Sequence, residues 1–271
     1  MSFDTPIFRE TKLGWYGLHR THANTIVRKQ AKVVLLGASL VRNLSRYPSV
    51  WGRHLEDFNT VNCGIGGDRT QHVLWRADNL YLPASVSVVV IHCGTNNIDH
   101  HVYTPHDIAH GVISCGVRLR EKSPHLGVVI AGILPRDLNV SQRRNKIRQT
   151  NEILENLCRD QNFTYIEQAK HWTHSSGQLN QSYFWKDNLH LNKKGCNVFA
   201  QLIANAINAL VETPFAHSSL MVLILFCIAG ICFIMMGTGN FIGKCGGGVV
   251  LDDFYWDYFK GSREGLNDMA G

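Results

Sequence analysis

The sequence has no Cys-x-x-Cys pair, no basic-then-apolar leader, no arginine-rich block and no internal repeat. Each absence removes a class of protein. Of the eight cysteines in 271 residues, Cys63, Cys93, Cys115, Cys158 and Cys196 are scattered through apolar or motif contexts. Cys227, Cys232 and Cys245 fall in or just after a hydrophobic tail. That spacing is no disulfide framework and reads as buried free thiols in a reducing compartment. Residues Met1 to Glu10 do not form a secretory signal, so an intracellular protein is expected. From residue 214 the chain carries three basic and five acidic side chains, a net −2, so the total of +6 leaves +8 on residues 1–213. Without an aromatic-interleaved basic stripe, this mild excess does not predict a nucleic-acid partner.

What is present alternates between two patterns. Runs at 32–37, 86–93 and 126–133 are continuous and rich in Val and Ile, as strands buried on both faces are. Shorter strand candidates are Phe163–Ile166 and Asp57–Asn62. Helical patterns occupy 39–46, 69–80, 105–122, 142–160 and 194–211, the fourth with an apolar stripe of Ile147, Ile153, Leu154 and Leu157. This alternation predicts an α/β fold, a three-layer α/β/α sandwich with a parallel sheet, over residues 1–213. Residues 171–190, rich in Ser, Gly, Asn and Gln, are expected to form a loop. Residues 214–271 form a separate extension. There Leu220 to Met236 is apolar throughout, glycine included, and the run continues weakly to Gly243. That is close to the roughly 20 residues a bilayer needs, so 220–242 is expected to be a hydrophobic transmembrane helix anchoring a cytosolic catalytic domain. A helix used for self-association and a stray fusion segment are the alternatives.

Four motifs carry the chemistry: Gly37-Ala38-Ser39, Gly64-Ile65-Gly66-Gly67-Asp68, Gly94-Thr95-Asn96-Asn97 and Asp187-Asn188-Leu189-His190. Ser39 ends a strand, His190 can accept its proton and Asp187 can orient the imidazole. Gly67 and Asn96 can donate hydrogen bonds to an oxyanion. The first three motifs follow predicted strands, where ligands of parallel α/β sheets bind. Gly37-x-Ser39-x-Val41 is not an α/β-hydrolase elbow, because the second glycine is missing. Asp99, His100, His101, His106 and His110 lack a matching carboxylate or cysteine set and are expected to be a solvated loop and helix start, with no metal. Arg143, Arg144, Lys146 and Arg148 are expected to form a solvated helix face.

These motifs, with His72-Val73-Leu74-Trp75-Arg76 and Gly132-Ile133-Leu134-Pro135-Arg136, resemble the SGNH (GDSL-type) hydrolase superfamily. Within it they are most like the platelet-activating factor acetylhydrolase catalytic-subunit group, over about residues 13 to 211. The resemblance implies a flavodoxin-like fold and no cofactor. It implies Ser39, Asp187 and His190 as catalytic triad, with the Ser39 amide, Gly67 and Asn96 as oxyanion hole. It implies a serine esterase for short, acetyl-type esters of a phospholipid-like or carbohydrate alcohol, and is compatible with a homodimer. One departure is that Ala38 stands where the family's first block usually has Asp. A decayed, non-catalytic interaction module and a mobile-element esterase domain are the rival readings.

Overall fold

The computed structural model describes residues 5–10 and 14–212. The chain divides into two compact units, 1–216 and 217–271, and the described residues all belong to the first. The extension 214–271, with its apolar segment 220–242, lies outside them.

In chain order the elements are α1 (Trp15–Lys29), β1 (Val33–Gly37), α2 (Ser39–Leu44), α3 (Pro48–His54), β2 (Thr60–Gly64), α4 (Thr70–Asp78) and β3 (Val88–His92). Then follow α5 (Thr95–Ile98), α6 (Pro105–Lys122), β4 (Gly127–Ala131), α7 (Gln142–Asp160), β5 (Thr164–Ile166), α8 (Ala169–Trp172), a 3-10 turn (Gln181–Tyr183) and α9 (Lys193–Glu212). The five strands pair in the order β2-β1-β3-β4-β5, all parallel. The order reverses between β1 and β3, which opens a crevice beyond their carboxyl ends.

Alternate strand residues point to opposite cores, as the two-residue period of a strand requires. Val34, Leu36, Val89, Ile91 and Ile130 join α1, α4, α6 and α7 on one face. Val33, Leu35, Val88, Val90 and Val129 join α2, α3 and α9 on the other. Every residue of β1 and β3 is buried, and each buried Val or Leu contributes about 1.5–3 kcal/mol of apolar transfer. The sheet is thereby fixed between two helix layers, and its carboxyl edge is a rigid platform.

One strand expectation shifts. The weak candidate Asp57–Asn62 pairs instead as Thr60–Gly64, because the hydrogen-bond register aligns Gly64 with Gly37. Helix α1 was not foreshadowed by the periodicity. Its buried face is Trp15, His19 and Ile26, too sparse and too polar to register as an apolar stripe. Among the described residues no helix is long and apolar enough to cross a membrane. Cys63, Cys93, Cys115, Cys158 and Cys196 are buried and free. Burial pushes the thiols of Cys63, Cys158 and Cys196 up to about 12, leaving them protonated and poor nucleophiles.

Candidate active site

Strand β1 ends at Gly37, and Ser39 is the first residue of α2. Its N–H has no carbonyl one turn back within that helix to bond. The neighbouring Ala38 N–H donates to the His92 carbonyl at 3.3 Å, which joins the ends of β1 and β3. Strand β2 closes on the other side, where a Cβ at Gly64 would lie 2.1 Å from the Arg42 amide nitrogen. Only glycine lets the backbone approach the Ser39 helix so closely.

His190 arrives from the loop before α9. Its Nε2 lies 2.9 Å from Ser39 Oγ, and its Nδ1 lies 2.7 Å from Asp187 Oδ2. Asp187 Oδ1 accepts from the backbone N–H groups of Leu189, at 3.1 Å, and His190, at 2.9 Å. This tight turn puts Asn188 at φ 52, a left-handed conformation that Asn tolerates. Partial burial pulls the Asp187 carboxyl upward, but the His190 ring and the two backbone donors outweigh it and hold it below its ordinary value. The carboxylate is therefore ionised at neutral pH. It selects the His190 tautomer with hydrogen on Nδ1, which leaves Nε2 as acceptor for the Ser39 hydroxyl.

After β2, residues 65–68 form a turn in which the Asp68 N–H donates to the Ile65 carbonyl at 3.3 Å. Gly67 has φ 80, a conformation costly for any side-chain-bearing residue. The Asn96 side chain donates one N–H to the Asp68 carbonyl at 2.8 Å, and its amide carries a second hydrogen. Asp68 is the hub behind this turn. Its carboxylate accepts from Arg76 Nη1 at 3.0 Å, Trp15 Nε1 at 2.8 Å and Arg9 Nη1 at 3.1 Å. Arg76 also donates to the Gly37 carbonyl at 3.2 Å and to the Cys63 carbonyl. One guanidinium thus ties the ends of β1 and β2 to the turn.

The fold brings Ser39, His190 and Asp187 into one hydrogen-bonded chain and sets Gly67 and Asn96 in adjoining segments linked through Asp68. Sequence reasoning missed Arg9 and gave no role to Asp68, Arg76 and Asn97, although all three lie in the motifs. Asn97 accepts from the Thr70 N–H at 3.0 Å and fastens α5 to the start of α4. The basic run on α7 is not the solvated face expected. Arg143 pairs with Asp99 and Asp137, Arg144 holds the Asp137 and Gly177 carbonyls, and Lys146 holds those of Ile98 and His100. The loops after β3 and β4 fold over this end of the helix. Of the four, Arg148, paired with Glu152, behaves as expected. Among the described residues no group of three or more His, Cys, Asp or Glu could hold a metal ion.

Comparison with known proteins agrees with this architecture. Residues 34–198, from β1 into α9, match the GDSL-like lipase/acylhydrolase family. The chain is 32% identical over 183 residues to the human platelet-activating factor acetylhydrolase IB subunit alpha1, covering 67% of this chain and 77% of that protein. It is 29% identical over 206 residues to the Bos taurus alpha2 subunit, covering 74% and 86%. A GDSL-like lipase from Bacteroides thetaiotaomicron shares the fold at a TM-score of 0.59 and 20% identity, over 72% of this chain and 99% of that one. The matched span includes Ser39, Gly67, Asn96, Asp187 and His190, and the chain belongs to the GDSL-like lipase/acylhydrolase family, whose members are serine hydrolases acting on ester bonds.

Proposed function

We propose that the protein is a serine esterase that hydrolyses short-chain, acetyl-type carboxylic esters, with Ser39, His190 and Asp187 as its triad. His190 Nε2 takes the Ser39 proton as Oγ attacks the ester carbonyl. Asp187 holds the ring and stabilises the imidazolium that forms. The oxyanion is met by the N–H groups of Ser39 and Gly67 and the second N–H of the Asn96 amide. As the tetrahedral intermediate collapses, His190 gives its proton to the departing alcohol. Water, with His190 as base, then releases the acid from Ser39. The observation that carries this reading is the unbroken path from Ser39 Oγ to His190 and Asp187, at 2.9 and 2.7 Å. Such a path also disfavours a decayed module. The acetyl preference is supported by the name of the relatives, acetylhydrolases of platelet-activating factor. The alcohol portion is proposed to be phospholipid-like or a carbohydrate.

The test is hydrolysis of p-nitrophenyl acetate against its longer-chain homologues. The acetate should be turned over fastest, and Ser39→Ala should abolish turnover. Equal rates in the two proteins would remove the triad assignment.

For residues 214–271 the proposal rests on sequence alone: 1–213 is the catalytic domain and 220–242 its membrane anchor. Full-length protein should resist carbonate extraction, and a chain ending at residue 212 should stay active. A full-length protein that carbonate strips from membranes would contradict the anchor.

A further inference from the structure

We propose that Arg9, which precedes the family-matched residues 34–198, is a positioning residue for oxyanion binding: it locks the Gly66–Gly67 peptide so that the Gly67 N–H faces the developing charge. The inference rests on the reading of Ser39 as nucleophile and Gly67 as donor.

The 65–68 turn has Gly66 and Gly67 at its centre, and the φ of 80 at Gly67 is the value a type II turn demands at its third residue. The peptide between the two glycines carries the Gly66 carbonyl on one side and the Gly67 N–H on the other. Type I and type II turns differ by a rotation of about 180° in that peptide, and a glycine at the third position accepts either state. The two residues that expose the amide therefore also leave its direction open. A flip would remove the donor and turn a carbonyl oxygen toward the oxyanion.

A charged partner of the Gly66 carbonyl favours one of the two directions. Arg9 Nη1 donates to Gly66 O at 3.1 Å and to Asp68 Oδ1 at 3.1 Å. Both bonds are charge-assisted, and together they bridge the turn from its central peptide to its last residue. The guanidinium lies against Gly67, where a Cβ would fall 2.9 Å from Nη2. Asp68 is a fixed anchor, because Arg76 and Trp15 already hold its buried carboxylate. Arg9 is itself fixed by its neighbours. The Ile7 N–H donates to the Gln71 carbonyl at 3.1 Å, and Phe8 packs edge-on against Trp15 and Trp75 with centroids 5.3 and 5.0 Å away. Asn96 holds the turn through the Asp68 carbonyl, one peptide further on, and so does not fix the Gly66–Gly67 plane. The Arg9 side chain is 21% exposed, so replacing it removes the clamp without opening the core.

The test is steady-state hydrolysis of p-nitrophenyl acetate by Arg9→Ala and Arg9→Lys, with thermal melting of each protein. Arg9→Ala should lower kcat by about 10–10²-fold with KM steady, less than the 10²–10³ of deleting a donor, because some turns stay in the productive state. Labelling by a fluorophosphonate should slow in parallel, and the melting temperature should barely move. Arg9→Lys, which keeps a charged donor, should recover part of kcat. A kcat for Arg9→Ala within twofold of wild type overturns the inference. So does a loss that tracks a lowered melting temperature and is not recovered by lysine, which would make the segment a structural strap. If the alanine variant does not fold, the lysine and Arg9→Gln variants carry the same comparison. Ser39→Ala run alongside separates the two levels. An inactive Ser39→Ala with a normal Arg9→Ala overturns this inference alone, whereas an active Ser39→Ala overturns the reading beneath it.

Discussion

Asp187 and His190 stand in a loop with 49% and 29% of their side chains exposed, whereas Asp68 and Arg76, behind the 65–68 turn, are at 0% and 1%. The open half is held by backbone: the Trp185 N–H donates to the His190 carbonyl at 2.8 Å, and Asn192 holds the Ser182 and Phe184 carbonyls. The shut half is held by a buried ion pair, in which Arg76 also bonds the strand ends and Asp68 also accepts from Trp15 and Arg9. On the proposed roles, the difference follows from what each half does. His190 gains and loses a proton in every cycle beside the fixed charge of Asp187, and contact with water accommodates that change of charge. Oxyanion donors must already point the right way, because reorienting them during the reaction would raise the barrier. Desolvating Asp68 and Arg76 offsets most of their attraction. What the pair contributes is the geometry of the turn.

Breaking the open half should affect chemistry and little else. Asp187→Asn should lower kcat by about 10⁴ through the wrong histidine tautomer, while leaving thermal stability close to wild type. A loss under tenfold would mean that the backbone alone orients His190. Breaking the buried ion pair of the shut half should affect stability as well. Arg76→Met strands the Asp68 carboxylate and should cost about 3–5 kcal/mol in urea denaturation. A change below about 1 kcal/mol would show that Arg9 and Trp15 suffice for Asp68, against the low net contribution usual for a partly exposed pair. Asn96→Ala sharpens the boundary between the two. It should lower kcat by about 10²–10³ with KM within a few-fold, as expected when one preorganised donor is lost. A change confined to KM would make Asn96 a substrate-binding group.

The legible parts of the sequence are those where one physical demand dominates. Val33-Val34-Leu35-Leu36 and Val88-Val89-Val90-Ile91 must be buried on both faces, so their composition alone marks them as central strands. Ser39, Asp187 and His190 are carried by local motifs, because each is aimed by the turn or helix start it occupies. The supporting shell is not local. Arg9 meets Gly66 and Asp68 across 57 and 59 positions, and nothing in Phe8-Arg9-Glu10 distinguishes it from a surface arginine. Arg76 sits on an apolar helix face with its partner eight residues away. A buried ion pair and a solvated charge look alike until the fold brings the partners together. Helix α1 was hidden for a related reason: His19 and Trp15 are buried through their contacts with Asn79 and Asp68, which the 3.6-residue period does not encode.

The central claim is that Ser39 is an activated nucleophile, and covalent labelling by a fluorophosphonate tests it in one step. Intact-mass analysis should find a single adduct per chain, with peptide mapping placing it on Ser39. Ser39→Ala should take up none, and His190→Ala should react far more slowly. A wild-type chain that stays unlabelled, or an adduct that survives in Ser39→Ala, would contradict the account.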